Sequence, residues 1–458
     1  MFNFDDTICA VATSIGNSGI NIIRISGKES LEIAAKIFSP LKKKKKIMPR
    51  YMYLGDIYDD DTFVDKVLGV YFKAPSSYTG EDVFEIHCHG GVFASRKIME
   101  LLTENGARPA EAGEFSRRAF LNGKMDLSQA EGVADQIGAL SERGAKNAAL
   151  QMRGNLSRAI TDEQSKLTDI IAQIEAVVEY PEENLEDQVS SDVTPDIISI
   201  RDELNRLKGT YKEGKILKEG AKIAILGRPN VGKSSLMNAI LDTERVIVSD
   251  IPGTTRDVVT EYFIYKDIPL VFSDTAGIRE TDNEIEKIGV ERSRKAVEGA
   301  DIVLFLLDSS DMITEEDIEI YSNIKVNNSK VVTVLNKSDL EGLTDQNKAK
   351  EVFGGDIIVI SAKNNEGIDI LLDHIYDMVI TDSTSEEGNV IMNSRQEYSL
   401  GKAVSSLDDA IAGLEGNIGL DLVSIDLHDA WSSIGEVTGE TLDEKIIDRI
   451  FEKFCLGK

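Results

Sequence analysis

Apolar positions along the chain fall into three regimes. Over residues 1–120, short alternating or apolar runs predict strands at Thr7–Thr13, Ile20–Ile25, Tyr51–Tyr58, Lys66–Phe72 and Val83–His87. Helical spacing appears there at Ser30–Phe38 and Val92–Glu104. From Leu121 to Lys218 the period becomes helical, and Ser128-Gln129-Ala130-Glu131 fits a capping box ahead of a long helical stretch. The acidic segment Tyr180–Pro195 carries two prolines and is expected to break the helices before Ile197–Tyr211 resumes them. Residues 219–380 alternate strands and helices, an α/β pattern. Asp382–Asn389 reads as a polar linker, and Gln396–Leu414, Asp421–Gly435 and Leu442–Phe454 as helices. The predicted architecture is therefore multidomain. An α+β domain covers 1–120, an all-α helical domain is assembled from 121–218 and 381–458, and an α/β domain over 219–380 is inserted into it.

The inserted block carries the clearest chemistry. Ile223–Leu226 reads as a buried strand, followed by Gly227-x-x-x-x-Gly232-Lys233-Ser234 and then a helical stretch from Ser235 to Leu241. Strand, glycine loop and helix in that order form a phosphate-binding loop at a helix N-terminus. Lys233 is expected to reach the β- and γ-phosphates and Ser234 to offer a hydroxyl to Mg²⁺. Four further motifs follow in order. Gly253-Thr254-Thr255-Arg256-Asp257 offers Thr255 as a second Mg²⁺ ligand. Asp274-Thr275-Ala276-Gly277 follows an apolar strand; Asp274 would hold Mg²⁺ through water and the Gly277 N–H would sense the γ-phosphate. Asn336-Lys337-Ser338-Asp339 ends the strand Val331–Leu335, and the Asp339 carboxylate can accept from guanine N1–H and N2–H₂, which adenine lacks. Ser361-Ala362-Lys363 ends Ile357–Ile360 and can present a backbone N–H to guanine O6. The block reads as a P-loop GTPase domain selective for GTP over ATP. Ile278 follows Gly277, where Ras-type proteins carry a water-orienting glutamine. A hydrocarbon cannot polarise water, so the catalytic group must come from elsewhere.

Composition narrows the setting. A chain of 458 residues with 41% hydrophobic content builds packed cores, and no apolar run reaches about 18 residues, so no membrane span is expected. No basic-then-apolar N-terminal segment suggests a secretory signal, and three cysteines suit a reducing cytoplasm. The net charge of −29 disfavours non-specific nucleic-acid binding, so RNA contact would need a local basic patch, another readout or a partner protein.

The chain resembles the MnmE (TrmE) family of tRNA modification GTPases, which are potassium-activated and dimer-dependent. The resemblance rests on Arg24-Ile25-Ser26-Gly27, Tyr78-Thr79-Gly80-Glu81-Asp82 with His89-Gly90-Gly91, and Gly113-Glu114-Phe115 running into Arg118–Lys124. The five GTPase motifs and the ending Phe454–Lys458 complete it. It implies a folate-binding N-terminal domain that also dimerises the protein, and GTP hydrolysis supporting modification at carbon 5 of wobble uridine in tRNA. The implied partners are a second copy, tRNA and the flavoprotein MnmG (GidA), in a heterotetramer or larger complex. The implied cofactors are K⁺, Mg²⁺ and 5-formyl-tetrahydrofolate or a related reduced folate. Asn230 resembles the family's side-chain K⁺ ligand, and Ser249, Ile251 and Thr254 match its K⁺-binding loop. Glu286 matches the catalytic glutamate, which would orient the attacking water and answer the Ile278 problem, and Lys233 is the second catalytic candidate. The implied GTP-binding set is Asn230, Val231, Gly232, Lys233, Ser234 and Ser235; Ser249, Asp250, Ile251, Pro252, Gly253, Thr254 and Thr255; Asp274, Thr275, Ala276 and Gly277; Asn336, Lys337 and Asp339; and Ser361, Ala362 and Lys363. Arg24, Glu85, Lys124 and Lys458 match the family's folate contacts.

Plainer readings stand beside these. Arg24 ends an apolar strand and reads equally as an edge charge, and Glu85 as the solvated face of its strand. His87 and His89 share a strand face opposite Cys88, without enough further ligands for a metal site. Cys455 is either helix-end packing or a reactive thiol. Arg108, Arg117, Arg118 and Lys124 could meet RNA phosphate or a folate tail, or be solvated and locally paired; Lys42–Lys46 reads as a solvated loop. The rival functions are a ribosome-assembly GTPase acting as an RNA-binding switch and a folate-binding regulatory scaffold with residual GTPase activity. The first usually adds a compact RNA-binding domain after the G motifs, where this chain has helices.

Overall fold

The computed structural model describes residues 6–14, 16, 18–39, 47–179, 186–241, 247–248, 262–273, 299–325, 330–379, 390–416, 418–455 and 457. In chain order the first elements are β1 (Ile8–Val11), β2 (Ile20–Ser26), α1 (Ser30–Ile37), β3 (Met52–Asp59), β4 (Thr62–Phe72), β5 (Val83–His89), α2 (Val92–Glu104), β6 (Arg108–Pro109) and α3 (Glu114–Leu121). Helices α4 (Leu127–Gly138), α5 (Glu142–Met152), α6 (Asn155–Glu179), α7 (Glu186–Gly209) and α8 (Tyr211–Glu219) follow. Next come β7 (Ala221–Leu226), α9 (Lys233–Leu241), β8 (Ile247–Val248), β9 (Tyr262–Tyr265), β10 (Ile268–Ser273) and β11 (Ile302–Asp308). The chain continues through α10 (Glu315–Lys325), β12 (Lys330–Asn336), α11 (Gln346–Phe353), β13 (Ile357–Val359) and α12 (Ile368–Val379). It closes with α13 (Ser394–Glu415), α14 (Leu420–Thr438) and α15 (Glu444–Phe451). Two compact units result: Met1–Ala134, Gln151–Arg201 and Ser399–Lys458 in one, Asp135–Leu150 and Asp202–Tyr398 in the other. Among the described residues no helix is long and apolar enough to cross a membrane.

The first unit holds a six-stranded sheet of order β3-β4-β5-β2-β1-β6. Period-two alternation turns Ile23 and Ile25 of β2 and Phe84 and Ile86 of β5 toward α1 and α2, where they meet Ile33, Ile37, Ile98 and Leu102. β4 begins four residues earlier than the pattern predicts. Asp65 looks like a loop residue, yet it is buried and accepts from the His89 N–H at 2.9 Å and the His89 ring at 2.7 Å. The unit's helices pack through α6 and α14. Their buried faces carry Ile160, Leu167, Ile171 and Ile174 on α6 and Val423, Leu427, Ala430 and Ile434 on α14.

Two helix-boundary expectations are corrected. The capping box lies two residues earlier than predicted: Asp126 Oδ1 accepts from Gln129 N at 2.9 Å and Gln129 Oε1 from Asp126 N at 3.0 Å. Ser128 sits inside α4, where its hydroxyl donates to the Val437 carbonyl at 3.1 Å. Pro195 does not break the helix, because α7 runs through it from Glu186. The chain between α6 and α7, residues 180–185, lies outside the described residues, as do Lys42–Lys46 and Asp382–Asn389.

The second unit holds a seven-stranded sheet, β13-β12-β11-β7-β10-β9-β8. The run β10, β7, β11, β12, β13 is parallel, and β9 and β8 pair antiparallel at the edge. β11 is buried along Ile302–Leu307, as a strand covered on both faces must be. Ile223, Leu304 and Val332 pack with residues of α9 and α12, while Ala224, Phe305 and Leu335 pack with residues of α10 and α11.

The β9–β10 turn joins the first helical residues of this unit to its sheet. Lys266 and Asp267 take positive φ, as a two-residue hairpin turn demands. Asp267 then accepts from the Glu142 and Arg143 N–H groups, each at 2.7 Å, while Ser141 Oγ accepts from Gly144 N at 3.1 Å. Three of the N–H groups at the start of α5 are thereby satisfied. Asp267→Ala is expected to destabilise the fold by about 1–2 kcal/mol, the range of a lost helix cap. Asp267→Asn, which keeps one acceptor oxygen, should lose less. Thermal unfolding checks both, and equal melting temperatures for the alanine variant and the wild type would remove the cap from the account.

Candidate functional site

β7 delivers the chain to the phosphate loop. Gly227 has φ +151° and a Cβ there would lie 2.5 Å from the Leu306 carbonyl. Gly232 has φ +101° and a Cβ there would lie 2.2 Å from Asn336 Nδ2. Both positions therefore exclude a side chain on conformation and on space. Asn230 takes a left-handed φ of 64°, which asparagine tolerates better than most residues. Lys233 opens α9, and its ammonium donates back to the Gly227 carbonyl at 2.7 Å and the Arg228 carbonyl at 2.9 Å. Burial pulls its pKa below the usual lysine value, with Glu316 opposing. Val231 is buried, while Ser234 and Ser235 are exposed in the first turn of α9.

The Asn-Lys-Ser-Asp and Ser-Ala-Lys motifs converge on this loop through one side chain. Asn336, 2% exposed at the end of β12, donates from Nδ2 to the Val231 carbonyl at 2.9 Å and accepts at Oδ1 from the Ala362 N–H at 3.0 Å. One amide thus pins the phosphate loop to the Ser361-Ala362-Lys363 turn. Asp339 is exposed, and its Oδ1 accepts from Ser361 Oγ at 2.7 Å. Ser361 in turn pairs with Glu366 through two backbone hydrogen bonds of 3.0 and 3.1 Å. Lys363 is exposed.

Lys337, at φ 66°, donates to Asp308 Oδ2 at 2.6 Å. Burial would raise the Asp308 carboxyl, but the Lys337 ammonium with the Ser310 hydroxyl and amide holds it below its ordinary value. Asp308 and Ser309, whose hydroxyl donates to the Lys337 carbonyl at 2.9 Å, were not singled out from sequence. No local string marks them; only the register of β11 on β12 sets Asp308 opposite Asn336.

Several candidates lie outside the described residues: Ser249, Asp250, Ile251, Pro252, Gly253, Thr254, Thr255, Asp274, Thr275, Ala276, Gly277, Ile278, Glu286 and Lys458.

A second cluster sits on the first unit's sheet. Antiparallel pairing of β2 and β5 sets Arg24 directly opposite Glu85, and Arg24 Nε donates to Glu85 Oε1 at 2.9 Å. Burial would raise the Glu85 carboxyl, but His87 at 3.4 Å and Arg24 hold it below its ordinary value. The Arg24 guanidinium lies 5.1 Å from the Tyr78 ring centre and 5.7 Å from that of Phe115. Lys124 Nζ donates to the Pro75 carbonyl at 3.0 Å, and its Cδ lies 3.3 Å from where a Gly80 Cβ would sit, which places it on the loop that carries Tyr78. Gly457 approaches the end of β1 so closely that a Cβ would meet the Val11 carbonyl at 2.4 Å. Cys455 is exposed, and its carbonyl accepts from Gly113 N at 3.3 Å.

Of the two readings of Arg108, Arg117 and Arg118, the structure has the local pairing: all three make ion pairs. Arg118, 2% exposed, meets Asp6 at 2.7 Å, Glu114 at 3.0 Å and Glu81 at 3.2 Å. Arg108 meets Glu114 at 2.6 Å and Asp6 at 2.7 Å, and Arg117 meets Asp448 at 2.5 Å.

A glycine loop between a parallel strand and a helix, tied by Asn336 to an Asn-Lys-Ser-Asp loop, defines a P-loop guanine-nucleotide-binding protein. Family models agree at both ends of the chain. The model "GTP-binding protein TrmE N-terminus" matches residues 7–124 and "MnmE helical domain" matches residues 127–455. The tRNA modification GTPase MnmE of Clostridioides difficile (strain 630) is 44% identical over 458 residues, covering 99% of each chain. The protein of the same name from Desulforamulus reducens is 42% identical over 462 residues, 99% of this chain and 100% of that one. That from Caldicellulosiruptor saccharolyticus is 43% identical over 459 residues, 99% of each. The chain belongs to the MnmE family of tRNA modification GTPases.

Proposed function

We propose that this chain hydrolyses GTP to support modification at carbon 5 of the wobble uridine of certain tRNAs. The added group is aminomethyl or carboxymethylaminomethyl, and the work is done with the flavoprotein MnmG and a reduced folate as one-carbon donor. The observation that carries the nucleotide part is the Asn336 amide, which ties the phosphate loop and the guanine-recognition turn into one site. The tRNA part rests on the family. We place the G domain at 219–380, the folate-binding domain at 1–120 and the helical domain at 121–218 with 381–458, in a cytoplasmic protein.

Within that reading, Lys233 neutralises phosphate charge and Asp339 selects guanine. Asn230 belongs to the phosphate loop and is exposed, with an amide oxygen of the hard type an alkali cation takes; the exposed Ser234 brings a hydroxyl suited to Mg²⁺. Thr255, and the Ser249, Ile251 and Thr254 positions, would complete those two ligand sets. K⁺ and Mg²⁺, when bound, supply positive charge against the charge that develops on the phosphates. Glu286 would orient the attacking water.

The homodimer is supported by exposed apolar side chains in the first unit. Leu54 and Leu68 are cross-strand partners, Leu54 is 64% exposed, and Ile20, Phe63 and the 90% exposed Phe93 are exposed as well. A second copy covering these side chains would take their apolar area out of water.

Folate would be held by the Arg24–Glu85 pair beside the Tyr78 and Phe115 rings, with Lys124 and Lys458 for its anionic tail. Fit is judged from the donor set: a carboxylate accepts from an amino-pyrimidine edge, cations suit carboxylates, and aromatic faces stack on a pterin. Calorimetry with 5-formyl-tetrahydrofolate and no nucleotide tests this. Wild-type dimer should bind, while Glu85→Gln should weaken binding by about tenfold, the loss of one charged hydrogen bond. Lys124→Ala and deletion of Lys458 should each weaken it less. Absence of binding by the wild type would sink the folate assignment.

A further inference from the structure

The second residue of the phosphate loop is Arg228, whose side chain and main chain point to different partners. Its side chain runs to the β11–α10 connection rather than to the nucleotide motifs. Nε donates to Asp317 Oδ1 at 2.9 Å and an Nη to Asp311 Oδ2 at 3.1 Å. The two carboxylates differ sharply: the Asp317 side chain is 1% exposed and that of Asp311 53%. Asp317 is also the acid of a capping box on α10, since its Oδ2 accepts from Thr314 N at 2.9 Å and Thr314 Oγ1 at 2.8 Å, and its own N–H donates to Thr314 Oγ1 at 3.3 Å. Arg228 is therefore bolted to a rigid, fully bonded acceptor at the start of a helix.

The main chain of the same residue faces the other way. The Gly227 and Arg228 carbonyls are the two acceptors of the Lys233 ammonium. Gly227 is also pressed against the Leu306 carbonyl of β11. Any tilt of the 227–228 peptide moves the ammonium that must meet the phosphates. A guanidinium that holds this stretch against α10 thus sets the position of Lys233 without touching the ligand.

We propose that Arg228, anchored on the buried Asp317, is a positioning residue for the phosphate loop and acts on GTP through the carbonyls that hold Lys233. The proposal rests on the nucleotide reading above and adds a determinant of phosphate affinity that is independent of base recognition. A different role for an arginine at this place, direct contact with phosphate, makes the opposite forecast for Asp317. Freeing the guanidinium from its carboxylate would then preserve or strengthen GTP binding.

The test is titration of a fluorescent GTP analogue, with steady-state hydrolysis, on the full-length wild type and on Arg228→Gln, Arg228→Lys, Asp317→Asn and Asp311→Asn. Circular dichroism gives the folded fraction at the assay temperature, and affinity is read per folded molecule. Arg228→Gln and Asp317→Asn should each weaken GTP binding by roughly 10-fold to 100-fold, the effect of losing one hydrogen bond between charged groups. Their combination should be no worse than either alone, because both break one link. Arg228→Lys should recover part of the loss, Asp311→Asn should have a small effect because that carboxylate is solvent-screened, and the preference for GTP over ATP should stay at the wild-type ratio in all four. GTP affinity within twofold of wild type in Arg228→Gln would overturn the proposal. So would an unchanged or higher affinity in Asp317→Asn. A wild type that fails to bind GTP would overturn the nucleotide reading and this proposal together, whereas a binding wild type with an indifferent Arg228→Gln overturns this proposal alone.

Discussion

Asn336→Ala is expected to lose GTP binding by on the order of a hundredfold or more and to lower the melting temperature of the protein. The side chain satisfies two buried backbone groups at once, the Val231 carbonyl in the phosphate loop and the Ala362 N–H in the Ser361-Ala362-Lys363 turn. Truncation leaves both unpaired where water does not reach. Each such orphan costs about 1–3 kcal/mol, so the pair costs about 2–6 kcal/mol, divided between fold and ligand affinity. A penalty of about 2.8 kcal/mol falling on affinity alone is already a hundredfold. Asn336→Asp keeps the acceptor for Ala362 but sets a buried carboxylate oxygen against the Val231 carbonyl, and should lose at least as much as alanine. Fluorescent GTP titration reads the effect. Wild-type affinity in Asn336→Ala would mean that the two loops hold their places without the amide.

The second large effect concerns the cation and the water. Ile278 leaves the position after Gly277 without a polar side chain, so another group must orient the nucleophile. Under the proposed function, Glu286→Ala should bind GTP as the wild type does and still pair its G domains in K⁺, yet stop turning over. Positioned acid–base groups are worth roughly 10²–10⁴ in rate. Asn230→Ala should abolish the K⁺ response while leaving nucleotide affinity nearly unchanged. Electrostatic groups that meet the developing charge between the β- and γ-phosphates are worth roughly 10³–10⁵ in related GTPases. Single-turnover hydrolysis in saturating K⁺ separates the two variants. A Glu286→Ala protein that hydrolyses GTP at the wild-type rate removes Glu286 from the reaction.

What sequence made legible here was whatever depends on near neighbours. The phosphate loop could be read because strand, glycines, lysine and helix are consecutive, and the structure places β7 and α9 on either side of it. The Asn-Lys-Ser-Asp and Ser-Ala-Lys strings were legible because each ends a strand of a parallel sheet, where ligands gather. Helix α2 was bounded at both ends by the apolar period alone, Val92 to Glu104. Interactions that span sequence distance were not legible. Nothing local in Arg228 announces Asp317, 89 positions away, and nothing in Arg118 announces Asp6, 112 positions away. Charge in the 108–118 segment therefore reads from sequence either as an RNA or folate contact or as local pairing, and only the carboxylate partners decide between them. Glu85 reads as a solvated strand residue for the same reason: only the β2–β5 register sets it against Arg24. The capping register is not fixed by the string: Ser128-x-x-Glu131 fits, yet Asp126 and Gln129 form the box while Ser128 is drawn to Val437. Pro195 reads as a breaker, yet a helix continues through it.

The most direct test of the whole reading is the steady-state rate of GTP hydrolysis by the full-length protein in KCl and in NaCl at equal ionic strength, across a series of protein concentrations. The account predicts strong acceleration in K⁺ alone and a specific activity in K⁺ that rises with protein concentration as G domains pair. A rate that is the same in both salts and independent of protein concentration would contradict it.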